Sequence, residues 1–180
     1  MQIRKAAEGD EKGIAVVHVD SWKETYRGII PDSVLDNRTY ERQEKMWKNA
    51  IASLHPDGSD GRIILVAEDH DGSIAGFATA GKNRSDEYRD SFDAELFAIY
   101  ILQSAHKKGI GRRLTAELSR FLVEKGYESI MVWVLKDNPA VRFYARLGGR
   151  PVGKRTEEIG GAELEELALG WELEETLSDE

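Results

Sequence analysis

Apolar positions along this chain recur in two periods, and their alternation marks the elements in order. Residues 3–4 open as a short strand. From Asp10, a good N-cap, Ile14, Val17, Val19 and Trp22 recur on or near one helical side. Tyr26 stands one turn beyond Trp22, so the two rings share a face. Gly28 ends that helix, and Pro31 can start a second, short one. Residues 40–53 repeat the helical stripe with Met46, Trp47, Ala50 and Ile51. The loop signal H-P-D-G-S-D-G at 55–61 then hands over to a β-rich stretch. Strands 62–68 and 73–80 flank the hairpin turn His70-Asp71-Gly72. Residues 82–91 are polar and are expected to form a mobile loop.

Two uninterrupted apolar runs follow, 96–102 and 130–135, each short enough for a strand buried on both faces. Between them Ile110, Leu114, Leu118, Phe121 and Leu122 define a helix that Gly126 stops. A strand, a helix and a strand in succession predict a parallel pair. Asn138-Pro139 then reads as an N-cap followed by Pro at the first helical position. Ala140, Phe143, Tyr144 and Leu147 form the stripe of that helix, and Gly148-Gly149 ends it. Strands 152–159 and 163–173, joined by Gly160-Gly161, close the pattern, and the last few residues are expected to fray.

At 180 residues, 41% of them hydrophobic and 32% charged, the chain fits a single domain with a sizeable core. It has no cysteine, which excludes disulfides, thiolate metal sites and a cysteine nucleophile. The four histidines (His18, His55, His70, His106) lack carboxylate companions at ligand spacing, so no metal is expected. A net charge of −8 argues against a nucleic-acid partner. No signal-peptide core or membrane-length apolar run is present, so a cytoplasmic protein with no membrane partner is expected.

The candidate chemistry sits in the turn after the first long apolar run. Gly109 and Gly111 carry no Cβ, so backbone can come close to a ligand there. The first N–H groups of the following helix lack intrahelical partners and lie at the positive end of its dipole. His106, Lys107, Lys108, Arg112 and Arg113 crowd cations around the same point. Together these make an anion site suited to a phosphate or pyrophosphate. A dinucleotide fingerprint would need glycine at Leu114, and no Walker triplet exists. The plain alternative is an ordinary strand-to-helix turn with solvated lysines.

The stretch H-K-K-G-I-G resembles the acyl-CoA pyrophosphate loop of the GNAT superfamily of N-acetyltransferases, Arg/Gln-x-x-Gly-x-Gly/Ala, with His106 departing from its first position. Asn138, Phe143-Tyr144 and Gly148 resemble the second half of the same signature. W-x-x-x-Y-R-G-I-I-P, E-L-x-A-I-Y-I and L-x-E-x-A-L-G-W are similar to a common bacterial subgroup, so the resemblance covers nearly the whole chain. It implies a mixed α/β fold: a mostly antiparallel sheet splayed between two parallel central strands, with helices on both faces. It also implies acetyl-CoA as co-substrate. The acyl arm would pair with the strand at Ile99, Tyr100 and Ile101, and the pyrophosphate would lie on His106, Lys107, Lys108, Gly109, Ile110, Gly111 and Arg112.

The resemblance further implies roles for single residues, each with a plainer reading beside it. Asn138 would contact CoA, or simply cap its helix. Tyr144 would protonate the departing thiolate, or be a core tyrosine. Glu95, on the same face as Phe97 and Ile99, would serve as general base directly or through water, or pair with a neighbouring strand. Trp22 and Tyr26 would line the acceptor pocket, or belong to the core. The acceptor would be a small primary amine such as a polyamine or an amino-acid-like compound, with protein N-termini or lysines as the alternative. Two rivals are a non-catalytic acyl-CoA-binding regulator and a nucleotide-binding protein. Dimers are frequent in the superfamily, so a homodimer is compatible with the resemblance, although no residue points to one.

Overall fold

The computed structural model describes residues 1–55 and 57–177. Its strands are β1 (Gln2–Lys5), β2 (Ile63–Glu68), β3 (Ile74–Lys82), β4 (Ala94–Ile101), β5 (Ser129–Leu135), β6 (Arg150–Ile159) and β7 (Ala162–Glu172). Its α-helices are α1 (Glu11–Tyr26), α2 (Asp32–Asp36), α3 (Tyr40–Ala52), α4 (Ile110–Glu124), α5 (Ala140–Arg146) and α6 (Leu173–Leu177). The strands form one sheet in the order β1-β2-β3-β4-β5-β7-β6. Every neighbouring pair is antiparallel except β4 and β5, whose parallel course is made possible by the crossover helix α4.

Helices cover both faces of the sheet. On one, Ile14 and Val17 of α1 join Trp47 of α3 over Val66 and Phe77. On the other, Leu114, Leu118 and Leu122 of α4 pack on Ile63, Leu65 and Leu96. Each of these leucines is at most 1% exposed, a burial of roughly 1.5–3 kcal/mol apiece. The fold is thus the mixed, mostly antiparallel α/β architecture that the resemblance implies. Among the described residues, no helix is long and apolar enough to cross a membrane.

The central pair carries the feature that matters for function. β4 and β5 share only two register pairs, Ala94 with Ile130 and Glu95 with Met131. Beyond these the strands part, while β4 stays on β3 as far as Ile101 and β5 stays on β7 as far as Leu135. A bulge accompanies the parting: Ala80 faces Leu96 and Thr79 faces Ala98, leaving Phe97 as the extra residue. The bulge also resets the alternation of side chains. Leu96, Ile99 and Ile101 all point to the α4 side, whereas Ala98 and Tyr100 join the α1 side. Glu95 therefore does not share a face with Ile99, as strict alternation predicts.

Other departures are local. Asp10 occupies the N-cap position but does not cap; its carboxylate holds the Arg4 guanidinium at 2.6 Å and accepts from Ala7 N–H. At α5 the cap position falls on Pro139, one residue later than expected, and Asn138 Oδ1 accepts from Ala140 N–H at 2.8 Å. The 82–91 stretch is tied down rather than loose: the buried Asn83 amide donates to the carbonyls of Tyr88 and Phe92. The final strand stops at Glu172 and gives way to α6, where Leu173 is fully buried and Thr176 Oγ1 accepts from Trp171 Nε1. The expected fraying falls on residues 178–180, which lie outside the described residues.

The α1–α3 seam holds a buried histidine. Trp47 Nε1–H donates to His18 Nδ1 at 3.1 Å, and His18 stacks on Tyr100 with ring centroids 5.2 Å apart. Burial, and then the nearby Arg38 charge, press the His18 pKa down from 6.5 to about 3. A histidine kept neutral in the native state favours unfolding as pH falls, because the unfolded chain takes up the proton first. His18 therefore contributes full stability above pH 6.5 and progressively less between 6.5 and 3. Lowering the pH from 7 to 5 is expected to remove about 2 kcal/mol through this residue alone. Urea denaturation across that range should show the loss in the wild type and a flatter profile in His18→Gln. Parallel profiles would overturn the assignment.

Candidate active site

Where β4 and β5 part, a cavity of about 810 Å³ opens. Its walls are Phe97–Ile101 of β4, Val132–Val134 of β5, the loop into α4, α5, and the last turns of α1. Edge backbone exposed by the parting needs hydrogen-bond partners, so the cleft offers a ladder to any extended molecule bearing amides. Ile99, Tyr100 and Ile101 line it.

One end of the cleft is formed by the loop into α4. Lys107 and Gly109 both take the left-handed conformation, with φ of 61° and 74°, which curls the loop and turns its amides toward the start of α4. Gly109 occupies the N-cap position of α4 and supplies no side chain to cap it. The two glycines have different jobs. A Cβ on Gly109 would meet nothing within 4 Å, so its requirement is the positive φ alone. A Cβ on Gly111 would meet Phe143 at 3.1 Å and Ile101 at 3.3 Å. Gly111 lets Phe143 close against α4; protein, rather than a ligand, fills the space it leaves.

The cations divide similarly. Lys107 and Arg112 line the cleft, whereas Lys108 does not. His106 lines it too, but its Nε2 is 2.9 Å from the Ile101 carbonyl and so serves as a donor that ties the loop to the end of β4. Sequence reasoning missed two arginines. Arg142 and Arg146 of α5 also line the cleft, one helical turn apart. Their i,i+4 spacing behind Asn138-Pro139 was the available signal.

Phenols gather further along the cleft, away from that loop. Tyr144 is 5% exposed, lines the cleft, and its hydroxyl makes no hydrogen bond with any described residue. Burial, and then the neighbouring Tyr100, raise its pKa well above the ordinary tyrosine value, so it holds its proton. Asn138 Nδ2 donates to Tyr26 Oη at 2.9 Å, which ties the end of α1 to the start of α5 across the cleft. Tyr26 is likewise raised, chiefly by burial and then by Tyr100 and Tyr144.

Besides Lys108, two further predicted site residues are not brought to the cleft lining. Trp22 stands behind Tyr26, ring centroids 4.8 Å apart, and carries the Arg38 guanidinium 3.5 Å from its own ring. Glu95 accepts from Arg84 N–H at 3.0 Å, with the Arg84 guanidinium 3.8 Å away. Its carboxylate anchors the loop after β3. Among the described residues there is no group of three or more histidines or acids able to hold a metal ion.

Comparison with known proteins agrees with this geometry. Residues 20–149 match the model of the acetyltransferase (GNAT) family. The chain is 40% identical to the uncharacterized N-acetyltransferase YuaI of Bacillus subtilis (strain 168), over 94% of this chain and 91% of that one. It is 25% identical to a spermidine N(1)-acetyltransferase of Thermoplasma acidophilum, over 82% and 87% of the two chains. The crystal structure of the PaiA N-acetyltransferase from Thermoplasma acidophilum in complex with coenzyme A shares the fold, with a TM-score of 0.70 at 21% identity over 95% of this chain and 98% of that one. With the family model spanning most of the chain and a full-length relative at 40%, the protein belongs to the GNAT acetyltransferase family.

Proposed function

We propose that the protein transfers an acetyl group from acetyl-CoA directly to the primary amine of a small acceptor, both substrates being bound at once. The observation that carries this reading is the Tyr144 hydroxyl: protonated, turned to the cleft, and without a partner at the place where β4 and β5 part. Acetyl-CoA would supply an activated thioester, whose exchange for an amide needs little beyond alignment and proton management.

The residues present fit that substrate. The curled loop at Lys107–Gly109, the open start of α4 and the guanidinium of Arg112 suit a pyrophosphate. The exposed edge of β4 suits the amides of an extended arm, and a β4 backbone N–H can polarise the thioester carbonyl. The neutral amine attacks, a C–N bond forms, the C–S bond breaks, and Tyr144 gives its proton to the sulfur before regaining one from solvent. The acceptor ammonium loses one proton to water before it attacks, and the nitrogen gives up a second to water once the C–N bond has formed, which balances the proton that Tyr144 passes to sulfur and regains from solvent. Glu95 is held by Arg84, and Glu24, an acid in the cleft wall, accepts from Gln103 N–H at 2.9 Å.

CoA binding is expected to raise the melting temperature by mass action. Lys107→Glu should weaken that shift more than Lys108→Glu, and more at low salt than at high salt. Equal effects of the two reversals would contradict the separation of these lysines. Gly111→Val should reduce CoA affinity by displacing Phe143, and Phe143→Ala in the same chain should recover part of it. No recovery would mean that the valine meets the ligand itself.

Tyr144→Phe separates an enzyme from a CoA-binding regulator. The hydroxyl is used in the transition state and little in the ground state, so turnover should fall roughly ten- to a thousandfold with CoA affinity nearly unchanged. Glu95→Gln should cost turnover less. Acetyl transfer would be followed as thiol release from acetyl-CoA across a panel of amines. An unaltered rate in Tyr144→Phe, with chemistry rate-limiting, would move the proton donor to water.

A further inference from the structure

Past Tyr26 and Tyr100 lies a group of polar side chains whose hydrogen bonding is incomplete. Arg38, between α2 and α3, is half-buried, yet no described carboxylate pairs with it. The contrast with other arginines is sharp: Arg4 sits on Asp10 and Glu68, and Arg155 on Glu166. A guanidinium drawn from water without a counter-charge is costly, so its retention calls for an explanation. Its Nε is buried without a partner, whereas the indole beneath it has the Tyr100 hydroxyl as a partner for its N–H.

The neighbouring histidine adds to the imbalance. His18 Nδ1 accepts from Trp47, so the neutral ring carries its proton on Nε2. That N–H faces Arg38 Nη1 at 3.2 Å, and a guanidinium can only donate. Gln43 Oε1, on α3, is also buried without a partner, and a half-turn of its amide would present yet another donor. In the cleft itself Glu24 is the sole acid in the wall, and it is already engaged by Gln103. A polycation would meet that single carboxylate there among the described residues.

We infer that the acceptor carries a carboxylate some atoms from its amine, and that Arg38 is the residue that reads it, with the Trp22 face holding the guanidinium flat. This rests on the acetyltransfer reading and narrows its acceptor to an amino-acid-type amine as against a polyamine. The carboxylate would accept from Arg38 and from the His18 Nε2–H beside it, and the wall of Tyr26 and Tyr100 would separate it from the reacting amine.

The test uses straight-chain ω-amino acids of increasing length, their primary amides, the common α-amino acids and spermidine, each assayed by thiol release from acetyl-CoA. The expected result is a kcat/KM at least about tenfold higher for the best acid than for its amide, with spermidine poorer still. Arg38→Gln should erase that preference by raising KM for the acid, while the constants for the amide and the CoA-induced melting shift stay as in the wild type. Arg38→Lys, which keeps charge but loses the fork, should fall between. Equal use of acid and amide, a preference for spermidine, or an equal loss on both in Arg38→Gln would overturn the proposal. Should Arg38→Gln fail to fold, the acid–amide comparison in the wild type and Arg38→Lys still decide it. A wild type that binds CoA but acetylates none of the acids also overturns it and leaves the CoA assignment standing. Absence of a CoA shift would instead bring down the acetyltransfer reading.

Discussion

The parting of β4 from β5 after two rungs of pairing is the constraint on which the rest of the structure depends. A buried backbone N–H or C=O left without a partner costs on the order of 1–3 kcal/mol, so a sheet opens in its middle only where something else answers those groups. Here β3 and β7 hold the outer edges of the two strands, and the inner edges are left to solvent and substrate. The bulge at Phe97 adds twist at the point of divergence. The Tyr26–Asn138 hydrogen bond then spans the gap from α1 to α5 and fixes its width at the chemical end.

Around that opening the charges are sorted by task. One set of cations stands at the loop before α4 and on α5, along the cleft. Another, Arg38, is stacked on the Trp22 indole. Between the two lie groups that hold their protons firmly, Tyr26, Tyr100 and Tyr144, each raised chiefly by burial. A reaction that moves no net charge through its centre, amine and thioester to amide and thiol, is well matched by a neutral middle between charged ends.

Much of this was legible in the sequence. The two apolar runs, the glycine loop and the Asn138–Tyr144 segment were readable because strand burial, helix dipoles and capping leave local signatures. What failed to show was tertiary. The bulge that turns Glu95 away from Ile99 depends on the partner strand, since nothing in A-E-L-F-A-I-Y-I marks Phe97 as the extra residue. The role of Gly111 rests on Phe143, thirty-two positions away, and could not be told from that of Gly109 by composition. Arg38 stands in an unremarkable polar stretch, and only the fold brings it onto Trp22. The short α6 was hidden because L-E-E-T-L carries too few residues for a period to emerge.

That last helix has a practical side. Trp171 lies nearly parallel to Tyr144, with centroids 6.3 Å apart, and its indole N–H is held by Thr176 one turn into α6. Leu173, fully buried, pins the same turn beneath α4. The backing of Tyr144 is thus supplied by a single short helix, and shortening the chain into it would undo that support. Fusion partners and affinity handles on this protein are better carried at the other end, or joined beyond a spacer that leaves Leu173–Leu177 wound.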